Sequence, residues 1–290
     1  MDASCIACNG ELILFGPRLN YEYYICSSCG TLQLSPMPDE KTLENAYSQH
    51  HASFKQTDAF RDPKYWKIAG EPYRKDILRV LINHSISGLI IDFGAGWGHL
   101  CELLIKNKFH CIGLEPSLEM SSYCRQKGLP VEHWSFESDN KIDKNISAIV
   151  MCTVFEHLSN HHTWLRRFNR MLPLNGSMVT LHPTAACYTL IGKMIRLGNR
   201  NRELPEMHGS FFPPWHTAFF SLKAMEILAH QNGFGLIEIR PASQGRAAGF
   251  FGFTQRCLGV INRFGWFMMQ HRWPLITTHV FVLRKMRNLN

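Results

Sequence analysis

Residues 88–100 read Gly-Leu-Ile-Ile-Asp-Phe-Gly-Ala-Gly-Trp-Gly-His-Leu, and no other stretch restricts the fold of this chain as strongly. The apolar run 89–93 is too short for a helix and is closed by glycine on both sides, the pattern of a buried strand. Three alternating glycines, Gly94, Gly96 and Gly98, then open into a helix over residues 99–106. A second strand follows over 108–113 and leads to Glu115, and a further helix runs over 117–127. Strand, glycine turn, helix, strand and acid predict an open α/β sheet that binds a nucleoside-bearing ligand. The glycines bring backbone against the ligand, and the Glu115 carboxylate takes both ribose hydroxyls. Asp92, at the end of the first strand, is placed to hold the loop.

Ten cysteines are unevenly spread, and four of them sit in the first 29 residues as Cys5-Ile6-Ala7-Cys8 and Cys26-Ser27-Ser28-Cys29. Seventeen residues separate the pairs, within the range that closes a four-thiolate zinc site. Two such turns place four thiolates around one Zn²⁺ with no open position, so the metal is expected to be structural. Residues 11–15, the Gly16-Pro17 pair and residues 21–25 read as a hairpin, with a third strand at 31–34 stopped by Pro36 and Pro38. This is the pattern of a small zinc ribbon over residues 1–38. A redox CxxC needs a βαβ context that is missing around these cysteines. Residues 39–85 read as a helical linker: a helix at 39–47, a polar connection carrying Gln49, His50 and His51, and a second helix at 71–84. Residues 86–290 form the core.

Composition bounds the partners. Hydrophobic residues are 45% and charged residues 19% of the 290, an ordinary globular balance. No run approaches the roughly 18 apolar residues of a spanning helix, and no secretory leader is visible, so a cytoplasmic location is expected. A formal net charge of +8 favours anionic partners.

The ligand class follows from glycine spacing. A pyrophosphate-binding G-x-G-x-x-G would place its third glycine at His99, so a nicotinamide cofactor is disfavoured. The pattern Asp92-x-Gly94-x-Gly96-x-Gly98, with Glu115 beyond it, resembles motif I of class I S-adenosylmethionine-dependent methyltransferases. The resemblance continues through residues 147–158, ending in Glu156-His157-Leu158, and through the turn Leu172-Pro173-Leu174-Asn175-Gly176, where Asn175 stands for the usual glycine. It extends to Trp215-His216-Thr217-Ala218-Phe219-Phe220-Ser221, to Gly233-Phe234, and to 277–283 as a reversed seventh strand. Together with the ribbon, the chain is similar to a bacterial subfamily that includes C-methyltransferases of nucleotide-linked deoxysugars. With the sequence ending soon after the seventh strand, their large C-terminal domain is not expected here, and Trp215 replaces their glutamate before His216.

The resemblance implies a Rossmann-like, seven-stranded methyltransferase sheet and S-adenosyl-L-methionine as methyl donor. It places Asp92, Gly94, Gly96, Gly98, Glu115, Ser135 and Phe136 around that cofactor, with Ser135 and Phe136 at the adenine edge. His216, His157 and His182 are the candidates for a general base, since an oxygen or carbon acceptor must lose a proton. Glu156 reads as a cap for the following helix. Residues 184–214 form an insertion suited to a substrate lid, whose basic part at 193–202 suits a diphosphate or carboxylate. The aromatic stretch 250–273 suits packing on the sheet or on a homodimer partner. The expected acceptor is a small anionic metabolite, best matched by a nucleotide-linked sugar. RNA is a second acceptor class, and a non-catalytic binding protein is a third reading.

Overall fold

The computed structural model describes residues 4–43, 62–134, 145–199, 201–205, 211, 213–244 and 249–289, without the side chains of 249–256. Ser135, Phe136, Gln49, His50 and His51 lie outside the described residues; of the helix expected at 39–47, residues 40–43 are helical and 44–47 lie outside the described residues.

The N-terminal unit is built from β1 (Leu12–Arg18), β2 (Tyr21–Cys26) and β3 (Leu32–Leu34). The first strand runs on through Gly16 and Pro17 rather than turning there. A register shift between Leu14 and Gly16 absorbs the irregularity, and the chain turns at Leu19, whose φ is +52°. Two gateway helices follow, α1 (Pro63–Ala69) and α2 (Glu71–Asn83). The first of these was not anticipated from the polar connection, although Asp62-Pro63 is a helix-start signal: Asp62 Oδ1 accepts the Lys64 N–H at 2.8 Å and Pro63 opens the first turn.

The core alternates strands and helices: β4 (Leu89–Phe93), α3 (His99–Lys106), β5 (His110–Glu115), α4 (Leu118–Gln126), β6 (Val131–His133), β7 (Ile146–Cys152), α5 (His161–Met171), β8 (Ser177–Pro183) and α6 (Ala185–Ile195). Then come β9 (Ala218–Phe219), α7 (Leu222–Gln231), β10 (Phe234–Pro241), α8 (Gly249–Met269) and β11 (Thr278–Lys285). Seven strands form one sheet in the order β10-β11-β8-β7-β4-β5-β6. All neighbours are parallel except β11, which runs antiparallel to both β8 and β10, as the reversed last strand was expected to. The order reverses between β4 and β7, the position at which open α/β sheets leave a crevice beyond their carboxyl ends. Asn175 adopts φ +65°, a left-handed turn that asparagine tolerates and that explains why glycine is usual there.

The ribbon is not a free-standing unit. Strand β9, late in the chain, completes its sheet in the order β1-β2-β3-β9, pairing Leu32 with Phe219 and Gln33 with Ala218. Tyr23, Leu32, Leu34, Tyr188, Leu204, Phe211 and Phe219 bury together in that seam. In the aromatic stretch Trp266 packs on His279, with ring centroids 5.5 Å apart, while Phe264 and Phe267 are exposed. Among the described residues no helix is long and apolar enough to cross a membrane.

Candidate active site

Strand β4 ends at Phe93, whose ring packs edge-on against Trp134 and Phe168. The backbone then passes through Gly94, Gly96 and Gly98 at φ +75°, +54° and +72°, a region in which side-chain-bearing residues are strained. The three glycines meet different surroundings. A Cβ on Gly94 would lie 2.6 Å from Val154 Cγ2, and one on Gly98 would lie 2.8 Å from Leu129 Cδ1. A Cβ on Gly96 would meet nothing within 4 Å among the described residues. Gly94 and Gly98 are therefore required by packing, whereas the backbone of Gly96 faces space that a ligand can fill.

Glu115 is buried at the end of β5 and its carboxylate is aimed at this loop. Oε2 accepts the Gly96 N–H at 2.7 Å, and Oε1 accepts the Ser117 N–H at 2.8 Å. Burial raises its pKa, while the two N–H donors act to lower it. Each oxygen keeps a lone pair for a hydroxyl. Asp92 is also buried; the Cys101 thiol donates to its Oδ2 at 3.5 Å, and burial raises its carboxyl to about 7. The gateway is pinned beside the loop. His99 Nε2 donates to the Pro63 carbonyl at 2.7 Å, and Arg74 on α2 donates to the carbonyls of Trp66 and Lys67.

Across the switch point, β7 runs into a single 3-10 turn, Phe155–His157. Glu156 does not cap the next helix. Asn160 does, accepting the Thr163 N–H at 3.2 Å, while Glu156 turns inward, 1% exposed. Its Oε2 has no hydrogen-bond partner among the described residues, and burial raises its carboxyl to about 8. His157 Nδ1 donates to the Trp215 carbonyl at 3.0 Å, which leaves the Nε2 lone pair 3.8 Å from Glu156 Oε1; burial lowers this imidazole to about 4. The His216 ring stacks on that of His157 at 4.8 Å and 29°. One ligand atom from each of Glu156, His157 and His216 lies within 4.8 Å of the others.

Two chain segments meet here and are clamped. The Thr217 N–H donates to the Glu156 carbonyl at 2.9 Å, and the Tyr23 hydroxyl donates to the His216 carbonyl at 2.8 Å. The ribbon thus reaches into the site. His182 is placed elsewhere, inside the sheet. Its ring stacks on Phe281 at 5.0 Å and lies 5.2 Å from Phe155, its Nδ1 donates to the Pro183 carbonyl at 3.0 Å, and burial lowers it to about 4. The structure brings His157 and His216 together with Glu156, and leaves His182 out.

The four N-terminal cysteines converge. Cys5 and Cys29 Sγ are 3.5 Å apart, as are Cys8 and Cys26 Sγ, and all four atoms lie within 4.8 Å of one another. A tetrahedron with Zn–S bonds of about 2.3 Å has edges of about 3.8 Å, so the donor set is compatible with zinc. The Ala7 N–H and the Thr31 hydroxyl approach the sulfurs of Cys5 and Cys29, as donors to thiolates do.

The expected lid is anchored rather than free where it is described. Gly192 on α6 sits against Phe15, the Leu204 N–H donates to the Pro17 carbonyl at 2.8 Å, and Phe211 is buried. In its basic part, Arg196 lies over the Phe15 ring at 5.8 Å. This segment joins ribbon to core.

Comparison with known proteins agrees with the architecture. A family model described as a methyltransferase domain matches residues 65–239. An uncharacterized methyltransferase of Bacillus cereus (strain ATCC 10987 / NRS 248) is 26% identical over 165 residues, covering 55% of this chain and 75% of that protein. The magnesium protoporphyrin IX methyltransferase of Synechocystis PCC 6803, solved with bound SAH, superposes with a TM-score of 0.54 at 11% identity, covering 85% of this chain and all of that one. The Burkholderia thailandensis 1,6-didemethyltoxoflavin-N1-methyltransferase, solved with 1,6-didemethyltoxoflavin and S-adenosylhomocysteine, gives 0.53 at 11% identity over 92% of this chain and 96% of that one. At such identity the superpositions speak to the fold, a seven-stranded sheet with one reversed strand. The family match spans more than half of the chain and contains the glycine loop, Glu115 and the Glu156–His157 turn; this protein belongs to the methyltransferase domain family and is a methyltransferase.

Proposed function

We propose that this methyltransferase uses S-adenosyl-L-methionine and methylates a small anionic metabolite, with a nucleotide-linked sugar as the best-matched class. The observation that carries the cofactor assignment is the open space before Gly96, bordered by a carboxylate held 2.7 Å from its N–H. The residues fit a nucleoside: Glu115 would hold both ribose hydroxyls through its remaining lone pairs, and the Gly94–Gly98 backbone admits the amino-acid tail. Asp92, whose carboxyl accepts from Cys101 on α3, is assigned to the support of the loop by the sequence pattern. Ser135 and Phe136 are assigned to the adenine edge by the sequence pattern. S-adenosylhomocysteine bound in the 1,6-didemethyltoxoflavin-N1-methyltransferase supports the same assignment. When bound, the cofactor supplies an electrophilic methyl on a sulfonium centre. The chain's own contribution is placement, together with the exclusion of water.

The acceptor side is assigned to Glu156, His157 and His216. Within it, His216 receives the acceptor's proton and His157 orients it; His182 has no part. The positive charge of +8 favours an acceptor carrying phosphate or carboxylate. Cys5, Cys8, Cys26 and Cys29 hold a structural Zn²⁺, and their reduced state suits a cytoplasmic protein.

The test is incubation with methyl-labelled S-adenosyl-L-methionine and separated pools of nucleotide-sugars, RNA and other metabolites. Label entering nucleotide-sugars is the expected result. Label entering RNA alone overturns the acceptor assignment, and absence of cofactor binding by calorimetry overturns the whole reading.

A further inference from the structure

We propose that Glu156, His157 and His216 form a second metal site, distinct from the four-cysteine cluster, for a divalent first-row transition cation. It rests on the reading above only in lying on the acceptor side. Two imidazoles and one carboxylate are a donor set for such cations, whereas the four thiolates near the N-terminus are a closed structural set.

The geometry points there in three independent ways. First, the three donor atoms converge within 4.8 Å although they come from segments about 60 residues apart in the chain. Bonds of about 2.1 Å would bring them to roughly 3.4 Å of each other, a contraction that side-chain torsions supply. Second, His157 Nδ1 donates to the Trp215 carbonyl at 3.0 Å, so the proton is on Nδ1 and a lone pair faces Glu156. A metal-bound histidine is characteristically oriented this way, by donating its other ring N–H to a carbonyl. Third, Glu156 is 1% exposed and its Oε2 has no hydrogen-bond partner among the described residues. A carboxyl oxygen buried without a partner, beside two converging imidazoles, is a position that a cation fills.

The surroundings also suit the role. Val154, two residues before Glu156, lies against Gly94, so the turn that carries the site touches the glycine loop. His157 keeps 20% side-chain exposure, which leaves a route for an external ligand. Three protein ligands leave at least one position open, and an anionic oxygen of the acceptor is the class of group that fills it. With a cation bound, His216 cannot also take the acceptor's proton, so the metal site replaces its general-base role: the cation would lower the pKa of an acceptor hydroxyl bound there, whose proton leaves to solvent.

The experiment is zinc stoichiometry on the full chain, dialysed after reconstitution with zinc chloride, alongside Co²⁺ titration. About two zinc per chain are expected, falling to about one in Glu156→Gln and in His216→Ala, with the heat protection by S-adenosyl-L-methionine retained as evidence of folding. In the unmodified chain, the first Co²⁺ equivalent should give sulfur-to-cobalt charge transfer, and the second should add ligand-field bands without it. That titration stands even if the variants fail to fold. A stoichiometry of one in the unmodified chain, or of two in the folded variants, overturns the second site. Cofactor binding in either case leaves the methyltransferase reading intact.

Discussion

Glu115 braces the glycine loop and is the carboxylate proposed to hold the ribose. Its oxygens accept backbone N–H groups of Gly96 and Ser117, which fixes the loop before a ligand arrives. Glu115→Ala removes both of these bonds and the proposed ribose contacts. Loss of charged hydrogen bonds at about 1.5–3 kcal/mol should weaken S-adenosyl-L-methionine binding by about 10- to 100-fold in calorimetry. Unchanged affinity would refute the ribose role. Glu115 was legible in the sequence because strand, loop, helix and strand are contiguous and their geometry is local. Glu156 was not. It reads as a cap for the following helix, whereas in the fold its carboxyl is buried beside His157 and His216, and its main-chain carbonyl accepts from Thr217 of a distant segment. The left-handed turn at Asn175 lies between these cases, visible as a glycine-like position and decided by its φ of +65°.

Elements are joined here by a few buried polar contacts that hydrophobic periodicity cannot report. Lys285 on β11 is 4% exposed and donates to the carbonyls of Asn169 at 2.6 Å and Leu172 at 2.7 Å, satisfying the last turn of α5. Lys285→Met keeps the stem but leaves both carbonyls unpaired in the interior. A loss of about 1–3 kcal/mol is expected, read as a lower urea midpoint with no change in cofactor affinity. The ribbon shows the same principle with a functional consequence. Tyr23 on β2 donates to the His216 carbonyl at 2.8 Å, so the N-terminal unit holds a residue proposed for the acceptor side. Tyr23→Phe should reduce kcat while leaving cofactor affinity unchanged; steady-state kinetics with calorimetry checks this, and a weakened cofactor site would contradict it. The hairpin, the third strand and the paired cysteines could be read from spacing and alternation. That β9 completes the ribbon sheet could not, because a two-residue strand has no detectable period.

Across the whole molecule, buried titratable groups set the pH range in which the fold is most stable. Burial lowers His161 to about 3, His182 to about 4 and His279 to about 3, from an ordinary 6.5. The unfolded chain gains these protons as pH falls below about 6.5 and the folded one does not, so stability is lost on acidification through that window. Asp92, raised to about 7 by burial, acts in the opposite sense: the folded protein keeps a proton that the unfolded chain releases above about pH 4, so stability declines from there to about pH 7. Glu156, raised to about 8, and Glu115, also raised, act with Asp92, while His157, lowered to about 4, acts with the other imidazoles. Four imidazoles against three carboxyls, at about 1.4 kcal/mol per pH unit each, leave a small net loss on acidification. The urea midpoint, measured with zinc saturating, is therefore expected to be lower at pH 5 than at pH 7, and a flat profile contradicts it. What the sequence by itself determined were the alternation of strands and helices, the glycine loop with its acid, the reversed last strand and the pairing of the cysteines. These depend on contiguous residues, where period and backbone preference act over a few positions. Tertiary structure alone decided which histidines meet, which glycine faces open space, and that the ribbon is closed by a strand from the core. Each of those is set by contacts between residues far apart in the chain, whose free energy no local pattern encodes.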